Sequence, residues 1–433
     1  MNLPIIWPDI PKQHFECRGC TRCCRELVVH LTRDDRERID AQKWGGRLPV
    51  APYVQQGRSF VLNHAAEGGC VFLAEDGRCR IHAEFGAAQK PLACRLYPFT
   101  IEAGPQRLHV GLRYDCPTVA ANSGLALAAH KSDVKLVAEA LLNSRAITAP
   151  SGSDAVEVAH SVRVSARTAD DFSSQIERWI QRASIPMGKR LFGLCRLAVT
   201  LGEARLGRLD EESLAELVVM LGGGIQELAA DQWDEPPGEP SSRSMRLLRQ
   251  TVFSHCEYIT FRQMFSGFLP AMKLRWNQLG RAGIMTRGTG MTPALRGIDG
   301  VAAFSGVESM QSEQAAAATS QVVGMNESAD LLTRYLVARL QARTVFGRGY
   351  YGWPIVDGLI ALLLSVAAAG WLARCNAAAS GRGLFGVADV QRAISIIDRS
   401  AGRLPELGSK AARLRVRYLA DNGIDRLLAK FAT

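Results

Sequence analysis

The chain reads as an α-dominated α+β protein. A small, loop-rich cysteine domain with short strands spans about 1–125, and a mostly helical domain spans about 126–433. Two observations predict this. Eight of the eleven cysteines fall before residue 120, among Gly and Pro punctuation and short apolar pieces. Beyond about residue 130, apolar residues recur at helical spacing. The 433 residues suffice for two or three cores, and 47% hydrophobic with 22% charged is the balance of a globular chain.

In the first part, Leu27–Leu31 (LVVHL) reads as a short strand. Thr32-Arg-Asp-Asp35 reads as a helix start, with Thr32 as cap and acids in the first turn. Asp76-Gly77 between the apolar pieces at Cys70–Leu73 and Arg78–His82 predicts a hairpin that brings Cys70 and Cys79 to one site. Leu108–Leu112 is a further strand leading into Cys116-Pro117.

The helical part opens with an amphipathic stretch, 131–146. Thr168-Ala-Asp-Asp171 resembles a capping box ahead of Phe172, Ile176, Trp179 and Ile180, which share one helical face. Helices are expected at 211–230, at 241–279 with a break at Pro270, at 328–344, at 387–399 and at 409–430. The Gly-, Ala- and Ser-rich stretch 280–327 has weak periodicity and predicts a loop or disordered insertion. Gly358–Ala373 is apolar throughout. At about 16 residues it falls short of the roughly 20 that a membrane span needs, so a buried core helix is expected.

The net charge of +10 would suit an acidic partner, but the arginines are spread over every helix and form no run. This favours solubility over nucleic-acid or membrane binding. The N-terminal Met-Asn-Leu-Pro-Ile-Ile-Trp-Pro carries no basic segment and no long apolar run, so it does not read as a secretory signal. The expected compartment is cytoplasmic, where dense cysteines are expected to ligate metal rather than pair in disulfides.

The candidate ligands are Cys17, Cys20, Cys23, Cys24, Cys70, Cys79, Cys94 and Cys116. Thiolates bind zinc or iron strongly, and close spacing lets one turn present several sulfurs. Zinc sites commonly use two separated Cys-x-x-Cys knuckles, and no second knuckle follows here. Cys17-x-x-Cys20-x-x-Cys23 has the spacing that wraps three corners of a 4Fe-4S cluster, with Cys116-Pro117 as a candidate fourth ligand. An iron–sulfur cluster is therefore expected, with zinc as the alternative. Adjacent side chains diverge along an extended backbone, so Cys23 is the expected first ligand and Cys24 is free for a second metal, a disulfide or packing. His14, His30 and His82 are alternative ligands near the cluster, for which a surface or packing role is expected. Arg95 stands beside the site, and Tyr97-Pro98-Phe99 is a rigid turn packed against it. Cys195, Cys256 and Cys375 lie on apolar helical faces as core thiols.

The run Cys17-x-x-Cys20-x-x-Cys23-Cys24, then Cys70 and Cys79 flanking Asp-Gly, then Cys94-Arg-Leu-Tyr-Pro-Phe, resembles the CxxCxxCC cysteine-cluster family. That family is also called the YkgJ family, a domain described as zinc- or iron-chelating. Phe85-Gly-Ala-Ala88, the later Cys116-Pro117 and the Tyr335–Leu340 helix with its apolar successor are similar to the flagellin lysine-N-methylase branch. The resemblance covers about a quarter of the chain. It implies a metal or 4Fe-4S site at the matched cysteines and methyl transfer from S-adenosylmethionine to lysines of a protein substrate. The alternative is a non-enzymatic zinc- or iron-chelating interaction module. The residues themselves supply no methyl-donor site: neither Gly222-Gly-Gly224 nor Gly288-Thr-Gly290 follows a strand as a Rossmann turn would, and no catalytic residue declares itself.

Overall fold

The computed structural model describes residues 3–256, 307–313 and 327–432, apart from 67, 105–106, 145–146, 148–154, 231–236 and 312. These form two compact units that divide near residue 152. The fold class is the expected one, with short strands in small sheets at the N-terminal end followed by a mostly helical part.

The first unit begins with β1 (Ile5–Ile6), β2 (His14–Phe15), α1 (Arg22–Glu26) and β3 (His30–Leu31). The strand expected over Leu27–Leu31 is thus paired only at its last two residues, against Phe60 and Val61. Next come α2 (Arg33–Ala41), β4 (Tyr53–Gln56) and β5 (Ser59–Leu62). Thr32 caps α2 as expected. Its hydroxyl accepts the Asp35 N–H at 3.1 Å, and the Asp35 carboxylate accepts the Thr32 N–H at 2.9 Å. This capping box satisfies two backbone groups that the helix start would otherwise leave unpaired.

The turn at Glu75–Gly77 forms, with Gly77 at φ 80° and the Ala74 N–H donating to the Arg78 carbonyl. The flanking strands do not. Only Leu73 and Cys79 bridge, and Cys79 is the cap of α3 (Arg80–Phe85). Burial of Ile81 in the core favours the helix over a hairpin arm. Trp44, Phe72, Ile39, Leu62, Val71 and Ile81 form that core. The Trp44 and Phe72 rings meet edge to face at 5.1 Å, and the Trp44 N–H donates to the Gln42 side chain at 2.8 Å.

The unit continues with α4 (Leu92–Leu96), β6 (Phe99–Ala103), β7 (Leu108–Leu112), α5 (Pro117–Ala120), β8 (Leu125–Ala126) and α6 (Lys131–Asn143). β6 and β7 run antiparallel, with β1 parallel on the far side of the buried β7. Val137 and Leu141 of α6 pack on Leu92 and Leu96 of α4, which places α6 in this first unit.

The second unit opens with a hairpin, β9 (Val156–Ala159) and β10 (Val162–Val164), and then α7 (Ala166–Ile180). The cap of α7 is Ser165, whose hydroxyl accepts the Thr168 N–H, so the capping box expected at Thr168 is displaced by three residues. β10 ends at Val164, and the chain turns helical at once. Phe172, Ile176, Trp179 and Ile180 are all buried, as their spacing requires. There follow α8 (Met187–Glu203), α9 (Glu211–Gly223), α10 (Ile225–Ala230), α11 (Ser242–Cys256) and α12 (Glu327–Gln341). The break expected at Pro270 and most of the 280–327 insertion lie outside the described residues. Within that insertion Val307 is buried, and Glu308 accepts from Arg249 at 2.6 Å and from the Trp371 indole at 3.1 Å.

The unit closes with α13 (Ile355–Ala379), α14 (Val387–Ser400), α15 (Lys410–Asp421) and α16 (Ile424–Phe431). The single helix expected over 409–430 is broken at Asn422-Gly423, where Gly423 takes φ 115°. Helix α13 is long and apolar enough to cross a membrane by length and composition. However, 94% of its most apolar window is buried inside the unit, against α8, α11, α14 and α16. Its first-turn Asp357 accepts from Arg413 and Arg417 of α15, and the positive helix start also favours its carboxylate charge.

Candidate metal centre

Cys23, Cys24 and Cys94 lie in short helices, Cys79 and Cys116 cap two others, Cys70 sits in an isolated bridge, and Cys17 and Cys20 lie in irregular chain. Helix α1 carries Cys23 and Cys24. The Cys70 N–H donates to the Cys24 carbonyl at 2.6 Å, tying α1 to the segment that enters the Trp44–Phe72 core. Cys70, Cys79 and Cys94 all pack on that core. Cys94 lies within α4, whose first N–H, that of Leu92, donates to the buried Asp35 carboxylate at 3.0 Å. Tertiary packing thus brings Cys70, Cys79 and Cys94 onto one core and ties the helix of Cys23 and Cys24 to the Cys70 segment.

Electrostatics tie several of these thiols together. Burial pushes the Cys70 thiol up to about 12, and the charges of Cys79 and Cys23 push the same way. Burial likewise raises Cys94, with Cys70, Cys79 and Cys23 adding to the effect. Cys23 is raised chiefly by its contact with Cys24, then by burial. The Lys90 ammonium opposes these shifts at Cys23, Cys70 and Cys94, so one cation lies within reach of three thiols. Metal-free, these thiols hold their protons at neutral pH. A metal would replace those protons.

The Cys23 and Cys24 sulfurs are 3.9 Å apart. The expectation that they diverge along an extended backbone is overturned, because both residues lie in helix α1. With Zn–S bonds of about 2.3 Å, the edge of a tetrahedral thiolate site is about 3.8 Å, so this pair is spaced to share one ion.

The remaining three cysteines stand elsewhere. Cys17 and Cys20 are exposed. Cys116 is the cap of α5 with Pro117 at the first helical position. Burial raises its thiol, the N–H groups of Val119 and Thr118 lower it by hydrogen bonding, and the charge of Cys20 raises it. Gly19 at φ 65° and Thr21 at φ 62° bend the chain on either side of Cys20, so the run from Cys17 to Cys23 is not one smooth knuckle. Among the described residues no three Cys, His, Asp or Glu side chains are gathered within reach of one metal ion. The three-corner wrap expected of Cys17, Cys20 and Cys23 is not formed as the loop stands.

Tyr97 feels cysteines from both parts of the stretch. Burial is the main reason its phenol is raised, followed by Asp115 and Cys116, with Cys23 adding to them. Its hydroxyl donates to Asp115 at 3.2 Å, and the Arg113 guanidinium both pairs with Asp115 and lies over the Tyr97 ring at 5.2 Å. Sequence reading anticipated that Tyr97-Pro98-Phe99 would pack here. It missed Lys90, Arg113 and Asp115, since isolated charges in loops and strands carry no local pattern. Arg95 is half-buried beside Cys94, and His30 and His82 are exposed. The His14 ring is in hydrogen-bond contact with the Lys12 carbonyl. Cys195, Cys256 and Cys375 are buried on α8, α11 and α13, as core thiols should be.

The donors suit a thiophilic ion in kind: Cys70, Cys79 and Cys94 pack half-buried on one core, and the Cys23 and Cys24 sulfurs lie 3.9 Å apart on a helix tied to it. As they stand, no three of them are within reach of one ion among the described residues. Neither the curated proteins nor the solved structures give a match to this chain. Residues 16–117 match the model of the CxxCxxCC family, described as a zinc- or iron-chelating domain, and all eight of these cysteines lie within that stretch.

Proposed function

We propose that the first unit binds zinc or iron through Cys23, Cys70, Cys79 and Cys94, with Cys24 beside them. The observation that carries this reading is the packing of Cys70, Cys79 and Cys94 on one core within the family-matched stretch. When bound, the metal supplies cross-linking of four distant segments and a Lewis-acidic or redox centre. The chain's own contributions are clear. Asp35 fixes α4, the Cys24 carbonyl fixes the Cys70 loop, and Lys90 offsets negative charge.

The 3.9 Å pair at Cys23 and Cys24 favours a mononuclear ion over a cubane. The 4Fe-4S reading rests on the Cys-x-x-Cys-x-x-Cys spacing. Metal and acid-labile sulfide analysis after anaerobic purification tests both. Stoichiometric zinc or iron that is lost in Cys70→Ser and Cys94→Ser is expected. A wild-type chain that stays metal-free after anaerobic loading would sink the proposal, and stoichiometric sulfide would replace the mononuclear reading by the cluster.

Methyl transfer from S-adenosylmethionine to protein lysine is supported by the sequence resemblance alone. Isotope transfer from labelled donor to candidate proteins by the loaded chain tests it, and failure of the donor to bind leaves the chelating module.

A further inference from the structure

We propose that the helical unit carries a peptide-binding groove, formed by α11, α13 and the turn before α14. It takes an acidic peptide in which an apolar residue precedes a glutamate, and the chain's own residues 307–313 fill it as a built-in competitor. This goes beyond the chelating role and does not rest on it.

Recognition centres on Glu308. Its Oε1 atom accepts three hydrogen bonds, from Arg249 Nε at 2.9 Å, from Arg249 Nη2 at 2.6 Å and from the Trp371 indole at 3.1 Å. The Arg249 and Glu308 side chains are only 12% and 11% exposed, and Trp371 is fully buried. A neutral or cationic residue in place of the glutamate would forfeit these charge-assisted bonds. Val307, the residue before it, is buried as well.

The contacts that follow are made to backbone. Arg374 Nε donates to the Met310 carbonyl at 3.1 Å, and its guanidinium lies over the rings of Phe385 and Phe431 at 4.6 and 5.1 Å. The Glu313 N–H donates to the Phe385 carbonyl at 2.9 Å, and the Phe385 N–H donates to the Gln311 carbonyl at 3.2 Å. An added peptide strand pairs with its host by the same exchange. Such bonds accept many sequences, so Val307 and Glu308 supply the selectivity. Arg249, Arg374 and Arg382 line the groove, Arg382 standing 3.7 Å from Glu313 while also pairing with Asp389 of α14. This charge favours an acidic occupant.

The groove and its occupant are built differently. Trp371 and Arg374 stand on α13, which packs against α8, α11, α14 and α16, and Arg249 stands on α11. These walls are held by the helices themselves. The occupant is held by one buried apolar side chain, one carboxylate and backbone bonds at Met310, Gln311 and Glu313, and Ser309, Gln311 and Glu313 are exposed. It comes from the Gly-, Ala- and Ser-rich stretch that has weak helical periodicity. Those are the anchors of a docked peptide. Tethering gives such a segment an effective concentration of about 1 mM, so a free peptide that binds the open groove at about 10 μM is held off about 100-fold.

The test is fluorescence anisotropy of a fluorescein-labelled peptide of residues 304–313, added to the full chain and to its variants Glu308→Lys and Val307→Asp. Both variants expel the internal segment and should bind the peptide about 100-fold more tightly than the wild type does. The same peptide carrying Glu308→Lys should not bind, and adding Arg249→Gln to the Glu308→Lys chain should weaken binding by about tenfold or more. Far-UV circular dichroism and thermal unfolding establish that each variant is folded. Equal binding to wild type and variants, or no binding to either folded variant, overturns the proposal. Dimerisation of the wild type that the peptide reverses, read by sedimentation, would assign the groove to a second copy of the chain and overturn the built-in competitor.

Discussion

Asp35 links a helix cap to the metal centre, and its removal should be felt in both. The side chain is fully buried at N3 of α2. It accepts the Thr32 N–H at 2.9 Å and the Leu92 N–H at 3.0 Å, and it pairs with Arg38. A hydrogen bond to a charged acceptor contributes about 1.5 kcal/mol or more, and Asp35→Ala also strands the Leu92 N–H in the interior. Loss of the two backbone bonds should cost the first unit about 3 kcal/mol, the partly exposed Arg38 pair adding little. The Leu92 bond alone accounts for about half, which should speed amide exchange across α4 by about tenfold.

Thr32→Ala removes only the cap and should cost about 1 kcal/mol without loosening α4. Hydrogen exchange of 90–97 by mass spectrometry, beside zinc competition titration, separates the two variants. We expect faster exchange and weaker zinc binding in Asp35→Ala and neither in Thr32→Ala. Equal effects in both, or wild-type exchange of α4 in Asp35→Ala, would refute the role of Asp35 as the tie between α2 and the Cys94 helix.

Two further outcomes are expected in the second unit. His255 is buried with its ring 2.6 Å from the Ser400 hydroxyl, and burial, then the charges of Arg415 and Arg339 (the latter paired with Asp398), lowers its pKa to about 3. The unfolded chain, near 6.5, binds the extra proton, so stability falls as pH drops below about 6.5, by about 2 kcal/mol at pH 5. Urea unfolding of His255→Gln should lack that increment of pH dependence, and an unchanged slope would count against it. Gly370→Ala would drive a Cβ to 1.7 Å from the Phe431 carbonyl and should cost about 3 kcal/mol, whereas Gly223→Ala meets open space and should be neutral or slightly stabilising by thermal unfolding.

What the sequence made legible was local. The Thr32 cap, the Phe172–Ile180 face and the burial of Gly358–Ala373 each follow from spacing within one or two turns. Which cysteines share a core was not legible. Cys94 and Cys70 pack on one cluster only because Ile39, Trp44 and Phe72 come together from distant segments, and Lys90 acts on three thiols without any neighbouring signal. Two local signals also competed. Ser165 and Thr168 are both acceptable caps, and only the end of β10 at Val164 selects the first.

Cys23-Cys24 shows the limit most plainly. Five residues are too few for a helix to hold by propensity, since nucleation costs more than one turn returns. Helix α1 persists because its neighbours hold it: the Cys24 carbonyl accepts from Cys70, and the Arg25 side chain reaches back to Thr21 at 3.2 Å. That the two sulfurs lie 3.9 Å apart is therefore a consequence of tertiary structure, specifically of a loop 46 residues further along the chain. It follows that the Cys23–Cys24 pair is organised by the fold before any ion arrives.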